Sequence, residues 1–349
     1  MPQSRWKLLT SAAISLAILA LAYLNRAWIV EAFGLLDDLR PHWLAASFIL
    51  IGLSYLVSSQ VFNIVLRSLG YRMGLLRLWA TALVAIVISQ SVPAGGVGSY
   101  AFLISNFSRR GVSSGESTLI ASLETLSYAG AMLLMFSFSL LYLAVHGMVT
   151  GRASYVAGVV AVAVIGTAAF VLTRPEATLT RWLVGLQRRV DSLLGRPSSS
   201  HWAETLIAEL HVGRELIASR RRDVALLVLV QLTALTGHSL AMLLVLHGLG
   251  VSVSLAAVAT AFGIALITST FNVLPGGGGT VEAALVAVLT QLGAGPAAVP
   301  AAIIFRLFNF WLLAPVAAAC YHWLMHEQVR PLVRVGRPRS GYSSSPQAD

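Results

Sequence analysis

The chain has 349 residues, of which 57% are hydrophobic and 11% are charged, and its mean hydropathy is +0.78. This much apolar surface exceeds what one soluble core can bury, so the composition excludes an ordinary soluble domain and indicates an all-α, polytopic integral membrane protein. The formal net charge of +10 is explained by basic loops on the inner side of a membrane, so we expect no nucleic-acid partner.

Long apolar runs recur along the chain, each close to the roughly 20 residues that cross a bilayer core. In chain order there are eight, near residues 10–28, 43–66, 75–92, 117–145, 153–172, 224–249, 255–274 and 297–324. We therefore predict about eight membrane segments in a single membrane domain that spans residues 1–349.

Basic residues cluster between these runs, and the positive-inside rule assigns such loops to the cytoplasm. The clusters lie near residues 5–7, 67–77, 109–110, 174–222 and 330–339. The pattern places both termini in the cytoplasm. The longest connection, residues 174–223, shows helical spacing of apolar residues against arginines, which predicts amphipathic helices on the inner leaflet or packed on the protein's own cytoplasmic face. The tail, residues 327–349, is basic and rich in Ser and Pro, and we predict that it is disordered.

The two halves of the chain resemble each other. The stretch "SVPAGGVGSY" (91–100) resembles "NVLPGGGGTV" (272–281), and a shift of 182 positions places Pro93 on Pro275 and Glu124 on Arg306. The charges of the flanking loops make the first motif follow an outward-running helix and the second an inward-running one. We therefore predict two inverted-topology repeats, residues 43–145 and 224–326, whose segments 99–107 and 280–292 are half-helices or re-entrant hairpins.

The two proline and glycine motifs predict helix breaks within the membrane. Such a break is tolerated where the freed backbone lines a cavity or is buried in protein, and the helix that follows it presents N–H groups suited to an anion such as a lipid phosphate. The alternative is that the glycines serve close helix packing. The candidate substrate-binding residues at the breaks are Pro93, Gly95, Gly96, Pro275, Gly276, Gly277 and Gly279.

Ionisable residues within the apolar runs are costly and mark candidate functional positions. Arg306 is the candidate phosphate ligand, while Glu124 or Glu282 is expected to meet a cationic part of the substrate or a proton. Asn309, with Asn106 and Gln90, is expected to line the same path. The alternative is an ion pair between Arg306 and a carboxylate that locks the halves together.

No cofactor or metal is predicted. Cys320 is the single cysteine of the chain, and the i, i+4 pair His322 and His326 has no third ligand nearby in the sequence, which favours an interface role. The glycine run at 276–279 is not followed by the Lys-Ser/Thr of a phosphate-binding loop, and no specific enzyme motif occurs. An intramembrane transferase would need an acid/base pair, for which Glu124 and Glu282 are the candidates.

The stretch "LPGGGGTVEAALVAVLTQLG" followed by "IIFRLFNFWLLAPVAA" resembles the closing signature of the lysylphosphatidylglycerol synthase transmembrane-region family, a flippase-like domain. The resemblance extends from about residue 43 to residue 323, and "SVPAGGVGSYAFLISNF" is similar to the family's earlier motif. The residues at family positions are Pro275, Gly276, Gly277, Gly279, Glu282, Arg306, Phe310 and Trp311. Ser99 and Tyr100 stand where an acidic residue often follows the first glycines.

The resemblance implies a stand-alone membrane domain, without the aminoacyl-transferase domain of the best-known members, in a bacterial cytoplasmic (inner) membrane. Its implied function is movement of an anionic phospholipid or lipid-linked head group between leaflets, as a transporter and not an enzyme. The alternative function is that of a non-catalytic membrane partner that presents a lipid to a separate glycosyl- or aminoacyl-transferase. The lipid, the energy source and the oligomeric state stay open.

Overall fold

The computed structural model describes residues 40–91, 95–146, 221–269, 280–326 and Leu332. The described residues form helices and turns without strands, in the order α1 Pro41–Ser58, α2 Gln60–Ser68, α3 Leu75–Ser91, α4 Gly95–Ser108, α5 Ser114–Val145, α6 Arg221–Gly248, α7 Leu255–Ser269, α8 Thr280–Leu289, α9 Ala298–Arg306 and α10 Leu313–His326. The predicted runs 10–28 and 153–172, the connection 174–223 up to residue 220 and most of the tail lie outside the described residues.

Four helical stretches of the described chain are long and apolar enough to cross a membrane, namely Pro41–Ser68, Ser114–Val145, Arg222–Gly248 and Val281–His326. Two shorter apolar helices, Leu75–Ser91 and Leu255–Thr268, accompany them. These spans confirm the prediction of an all-α polytopic membrane protein. Within the predicted run 297–324, a π-helical turn, Leu307–Trp311, separates α9 from α10.

The two helices that follow the predicted breaks are short. Helix α4 has 14 residues and α8 has 10, so neither reaches the roughly 20 residues of a full span. Helix α8 ends in a wide turn, Thr290–Ala294, where Gly293 has a φ of 102°, and a 3-10 turn, Gly295–Ala297, leads into α9. Only glycine adopts such a φ readily, so Gly293 permits the chain to reverse there.

Helices α2 and α6 end in the same way. The N–H of Tyr71 donates to the carbonyl of Leu66 at 2.8 Å, and the N–H of Val251 donates to the carbonyl of Leu246 at 3.0 Å. Between these residues Gly70 and Gly250 have φ values of 86° and 77°. Both ends therefore form the glycine-terminated motif that satisfies the last carbonyls of a helix.

Helices α1 and α6 pack against each other and run antiparallel. At one end the rings of Trp43 and His247 lie 5.6 Å apart, and the Ser47 hydroxyl donates to the carbonyl of Ala241 at 2.9 Å. At the other end Ser58 donates to Gln231 at 2.9 Å. Because residue numbers rise along α1 as they fall along α6, these helices have opposite directions through the membrane.

Other helix contacts occur in pairs under the same 182-residue shift. Helix α3 packs on α4 as α7 packs on α8, and α4 packs on α5 as α8 packs on α9. Across the halves, α3 packs on α10 as α7 packs on α5. The repeat boundaries 43–145 and 224–326 stay predictions, and these contacts are the arrangement that a two-fold relation between the halves would produce.

Candidate functional site

The centre of the candidate site is the guanidinium of Arg306, the last residue of α9. Its Nε lies 3.1 Å from Oε1 of Glu282, in the first turn of α8, and the side chains of Arg306 and Glu282 are 18% and 14% exposed. Its Nη1 donates to Oε1 of Gln90 at 3.2 Å. Its Cζ lies 4.7 Å from the ring centroid of Phe310, a cation–π contact one helical turn further on.

Arg306 therefore joins both predicted breaks. Gln90 lies next to the end of α3, just before the first proline and glycine motif, and Glu282 lies just after the second motif. The other carboxylate oxygen, Oε2 of Glu282, is buried without a hydrogen-bond partner among the described residues. Arg306 thus forms an ion pair with Glu282, but both residues belong to the second predicted repeat, so this pair does not lock the two halves together. The contact of Arg306 with the first repeat is its hydrogen bond to Gln90.

The backbone changes its helical type at this point. The π-helical turn Leu307–Trp311 begins directly after Arg306, and the N–H of Leu312 donates to the carbonyl of Leu307 at 2.8 Å, a separation of five residues. Such single π turns inside α-helices occur frequently at functional sites. Here the turn directly follows Arg306 and contains Asn309, and both side chains make polar contacts with other helices.

Asn309 lies at a second polar contact. Its Oδ1 accepts a hydrogen bond from the hydroxyl of Tyr55 on α1 at 2.6 Å. The Tyr55 ring packs edge to face on His238 of α6, with centroids 4.9 Å apart. Nδ1 of His238 lies 2.9 Å from the carbonyl of Ala234 on its own helix, and its side chain is also hydrogen-bonded to that of Asn309. The sequence did not indicate Tyr55 or its contact with Asn309, because tyrosines are common in apolar membrane segments.

Glu124 occupies a separate place on α5. It is half-buried, and among the described residues its side chain accepts one hydrogen bond, from the Thr125 hydroxyl at 3.4 Å, with no ion pair. Tyr128 lies one turn further along α5 and is 37% exposed. The structure therefore joins Arg306 to Glu282 and not to Glu124.

Asn106 does not join the Arg306 contacts. It is buried on α4, where its Nδ2 donates to the hydroxyl of Thr81 at 3.2 Å and its Oδ1 accepts from Nε of Arg110 at 3.4 Å. This side chain holds α4 to α3 and orients an arginine. The expectation that Asn106 lines the same path as Arg306 has no support in these contacts.

The glycine motifs are partly described. Gly95 begins α4, and Gly96 is exposed, with open space where a Cβ would be. Pro93, Pro275, Gly276, Gly277 and Gly279 lie outside the described residues. No group of three or more His, Cys, Asp or Glu side chains in the described part of the chain could hold a metal ion, and His322 stacks on His326 at 4.0 Å on the exposed face of α10.

A family model described as the lysylphosphatidylglycerol synthase TM region matches residues 8–317, which include both motifs, the Arg306 contacts and the π-helical turn. No curated protein matches the chain.

Proposed function

This chain belongs to the lysylphosphatidylglycerol synthase transmembrane-region family, and from that premise we propose that it moves an anionic phospholipid or a lipid-linked head group between the leaflets of a bacterial cytoplasmic membrane. Membership establishes a membrane domain related to lipid handling. The movement itself, the substrate and the placement of both termini in the cytoplasm are proposals. A separate lipid-modifying enzyme is a proposed partner that supplies or takes the lipid.

The observation that carries the proposal is the position of Arg306 between two interrupted helices. Its partners are Gln90, before one interruption, and Glu282, after the other, at distances of 3.2 and 3.1 Å. Interrupted helices at matching places in two inverted halves are typical of transporter sites near the bilayer midplane. An arginine held at such a place by an amide and a carboxylate is suited to bind a phosphate.

The chemistry of the guanidinium favours phosphate. Its planar set of donors matches two phosphate oxygens at once, and it stays protonated in an apolar environment. A phosphate would take the place of Gln90 as acceptor on the guanidinium, while Glu282 and Phe310 keep their contacts with the cation. The open space at Gly96, in the first turn of α4, gives a head group access to backbone N–H groups at a helix start.

In the proposed mechanism, the two halves rotate about the antiparallel contact between α1 and α6 to give alternating access. The two helices are equivalent under the proposed repeat, so a small rotation about their contact would open one side of the molecule as it closes the other. In this mechanism the head group crosses along the polar contacts of Arg306 while the acyl chains stay in lipid. Because the two proposed halves run in opposite directions, the conformation of one half in the outward-open state corresponds to that of the other half in the inward-open state.

The test is a leaflet-accessibility assay in proteoliposomes with fluorescent phospholipids. A reductant added outside destroys the fluorescence of the labels in the outer leaflet, so the loss of fluorescence measures the lipid that reaches that leaflet. Wild type should move the lipid, whereas Arg306→Ala and Arg306→Lys should not, since lysine cannot make the two-oxygen contact. Arg67→Ala, at an exposed position on α2, is the matched control and should move lipid at the wild-type rate. Movement that persists in folded Arg306→Ala would refute the role of Arg306 as the phosphate ligand. No movement of any lipid by folded wild type would favour the role of a partner for a separate transferase.

A further inference from the structure

Three polar side chains from three helical elements meet beside the Arg306 site. Tyr55 belongs to α1, His238 to α6, and Asn309 to the π-helical turn that begins directly after Arg306. The Tyr55 ring packs edge to face on His238, and the Asn309 side chain is hydrogen-bonded to both. Tyr55 and His238 are buried and Asn309 is half-buried, so these contacts are made within the protein. We call the three residues the histidine cluster.

The hydrogen bonds of His238 depend on its protonation. Nδ1 lies 2.9 Å from the carbonyl oxygen of Ala234, which can only accept, so Nδ1 carries a proton. Nε2 is then the nitrogen left for the Asn309 amide, whose oxygen accepts and whose nitrogen donates. A neutral ring accepts there from the amide nitrogen, whereas an imidazolium donates there to the amide oxygen. A second proton on His238 therefore fixes which end of the Asn309 amide faces the ring.

The hydroxyl of Tyr55 has two acceptors on Asn309. It donates to Oδ1 at 2.6 Å, and the backbone carbonyl oxygen of the same residue lies 3.2 Å away. When Oδ1 turns to a protonated His238, the hydroxyl can donate to this carbonyl instead. Because the carbonyl belongs to the π-helical turn, the proton changes a hydrogen bond of the backbone that follows Arg306. Both arrangements satisfy Tyr55 and His238, and such a two-state element can be biased by a proton.

The histidine cluster lies at the crossing of α1 and α6. Tyr55 and His238 directly follow Ser54 and Gly237, which lie against each other. In the proposed mechanism the two halves rotate about this crossing. A proton bound there can be taken up from one side of the membrane in one conformation and released to the other side in the second conformation.

The partners of the His238 ring, Tyr55 and Asn309, are neutral. Apart from residues near either face of the membrane, the titratable side chains on the helices that pack against α6 are Tyr55, Glu124, Tyr128 and Arg306. The charge of Arg306 is met by Glu282 at 3.1 Å. A proton on His238 thus adds a charge for which the amide oxygen of Asn309 is the acceptor at hand, and this favours the turned amide.

We propose that His238 binds a proton and that its protonation, through Asn309 and Tyr55, couples lipid movement to a proton gradient across the membrane. In each cycle His238 takes up one proton from the side open to it and releases that proton to the other side, while the π-helical turn changes its hydrogen bonding and moves Arg306. Histidine suits this task because its proton exchanges near neutral pH. The inference rests on the proposed lipid movement and names its energy source.

The protonation of His238 is measured by nitrogen NMR of the full chain in lipid bilayers, with isotope-labelled histidine. The signals of His238 are identified by their absence in His238→Gln or His238→Asn. Between about pH 5 and 8 they should change from those of an imidazolium to those of a neutral ring. Tyr55→Phe should let His238 keep its proton to higher pH, because the hydroxyl no longer competes for the amide oxygen. Signals that stay in one form throughout would overturn the proposal.

The coupling is tested in proteoliposomes with labelled phosphatidylglycerol and an imposed pH difference. In wild type the pH difference should shift the distribution of the lipid between the leaflets, and a reversed difference should reverse the shift. His238→Gln keeps an acceptor for the Asn309 amide but binds no proton, so this response should be lost. His247→Gln is the matched control and should respond as wild type does. His247 makes the same bond to a backbone carbonyl of α6, at 2.9 Å, but has no amide partner among the described residues.

The outcomes separate the inference from the function on which it rests. If folded wild type moves no lipid, the proposed function and the coupling both fail, although a titration of His238 would keep the proton site. If wild type moves lipid without a response to the pH difference, or if folded His238→Gln responds, lipid movement stands and coupling through His238 is overturned. The wild-type response and the titration in Tyr55→Phe keep the test decisive if His238→Gln fails to fold.

Discussion

Gly237 of α6 lies directly against the side chain of Ser54 of α1, at the middle of the antiparallel contact between the two helices. A Cβ placed on Gly237 would overlap the Ser54 hydroxyl oxygen, while the Ser54 Cβ would stand 3.4 Å away, an ordinary contact. Small residues at such a crossing allow two membrane helices to approach closely. The contact lies between the two proposed halves, so the close approach of α1 and α6 there limits how the halves can move against each other.

We expect Gly237→Ala to destabilise the protein and Ser54→Ala to restore it. The added methyl group overlaps the hydroxyl, and overpacking of this kind costs about 1 to 3 kcal/mol. In the double variant the overlapping oxygen is absent and the remaining atoms are at contact distance. Thermal unfolding in detergent measures both. Equal destabilisation of the single and the double variant would show that the hydroxyl is not the obstacle.

For a second glycine, Gly263, we expect that replacing the neighbouring serine does not restore stability. A Cβ on Gly263 of α7 would overlap the Ser139 hydroxyl and would also stand 2.6 Å from the backbone carbonyl oxygen of Met135 on α5. Ser139→Ala removes the first obstacle and leaves the second, because a backbone carbonyl cannot be deleted. Gly263→Ala should therefore destabilise the protein with or without Ser139→Ala, again by thermal unfolding. Full rescue by Ser139→Ala would contradict this close approach of the two helices.

Much of the fold could be predicted from the sequence, because apolar length and helix boundaries are local properties. The run 117–145 corresponds to α5, whose start is fixed by the reciprocal hydrogen bonds of Ser113 and Glu116. The short helices after the two motifs follow from the glycines and the proline. The π-helical turn after Arg306 could not be predicted, since it depends on how α9 and α10 pack on other helices.

The sequence identifies candidate residues for the site but does not predict which of them contact each other. Arg306 and Glu282 stand out as charges in apolar sequence, but spacing alone does not decide whether Arg306 meets Glu282 or Glu124. Tyr55 and Gln231 gave no signal, because a polar or aromatic residue in a membrane helix is common. Their contacts with Asn309 and Ser58 join residues more than 170 positions apart and exist only in the folded chain.

The ion pair of Arg306 and Glu282 should show strong coupling in a double-mutant cycle. Removing one partner leaves a mostly buried charge uncompensated, at a cost of about 3 kcal/mol, whereas removing both costs less than the sum of the single losses. The variants are Arg306→Ala, Glu282→Ala and the combination, compared by thermal unfolding in detergent. Additive losses would mean that the pair is not coupled.

Gln231 should tolerate an apolar replacement. Its side chain is 2% exposed, and its Nε2 has no hydrogen-bond partner among the described residues, while its Oε1 accepts from Ser58 at 2.9 Å. A buried donor without a partner costs about 1 to 3 kcal/mol, so Gln231→Leu should be neutral or stabilising. Gln231→Ala serves as the comparison, since it removes the same polar group but leaves a cavity. Strong destabilisation by Gln231→Leu alone would show that the amide has a partner.

The last carbonyls of α10 are held by arginines that follow α4. Nη2 of Arg109 donates to the carbonyl of Met325 at 2.7 Å, and Nη2 of Arg110 donates to the carbonyl of Leu324 at 3.4 Å. Cations at a helix C-terminus satisfy unpaired carbonyls and the helix dipole. Arg109→Ala removes a charge-assisted bond of about 1.5 to 3 kcal/mol, so the end of α10 should open more often. Hydrogen exchange of residues 320–326 measures this, with Arg72→Ala, at an exposed loop position, as the control. Faster exchange in Arg109→Ala than in the control is expected, and equal exchange would mean that α10 is held by its packing on α3.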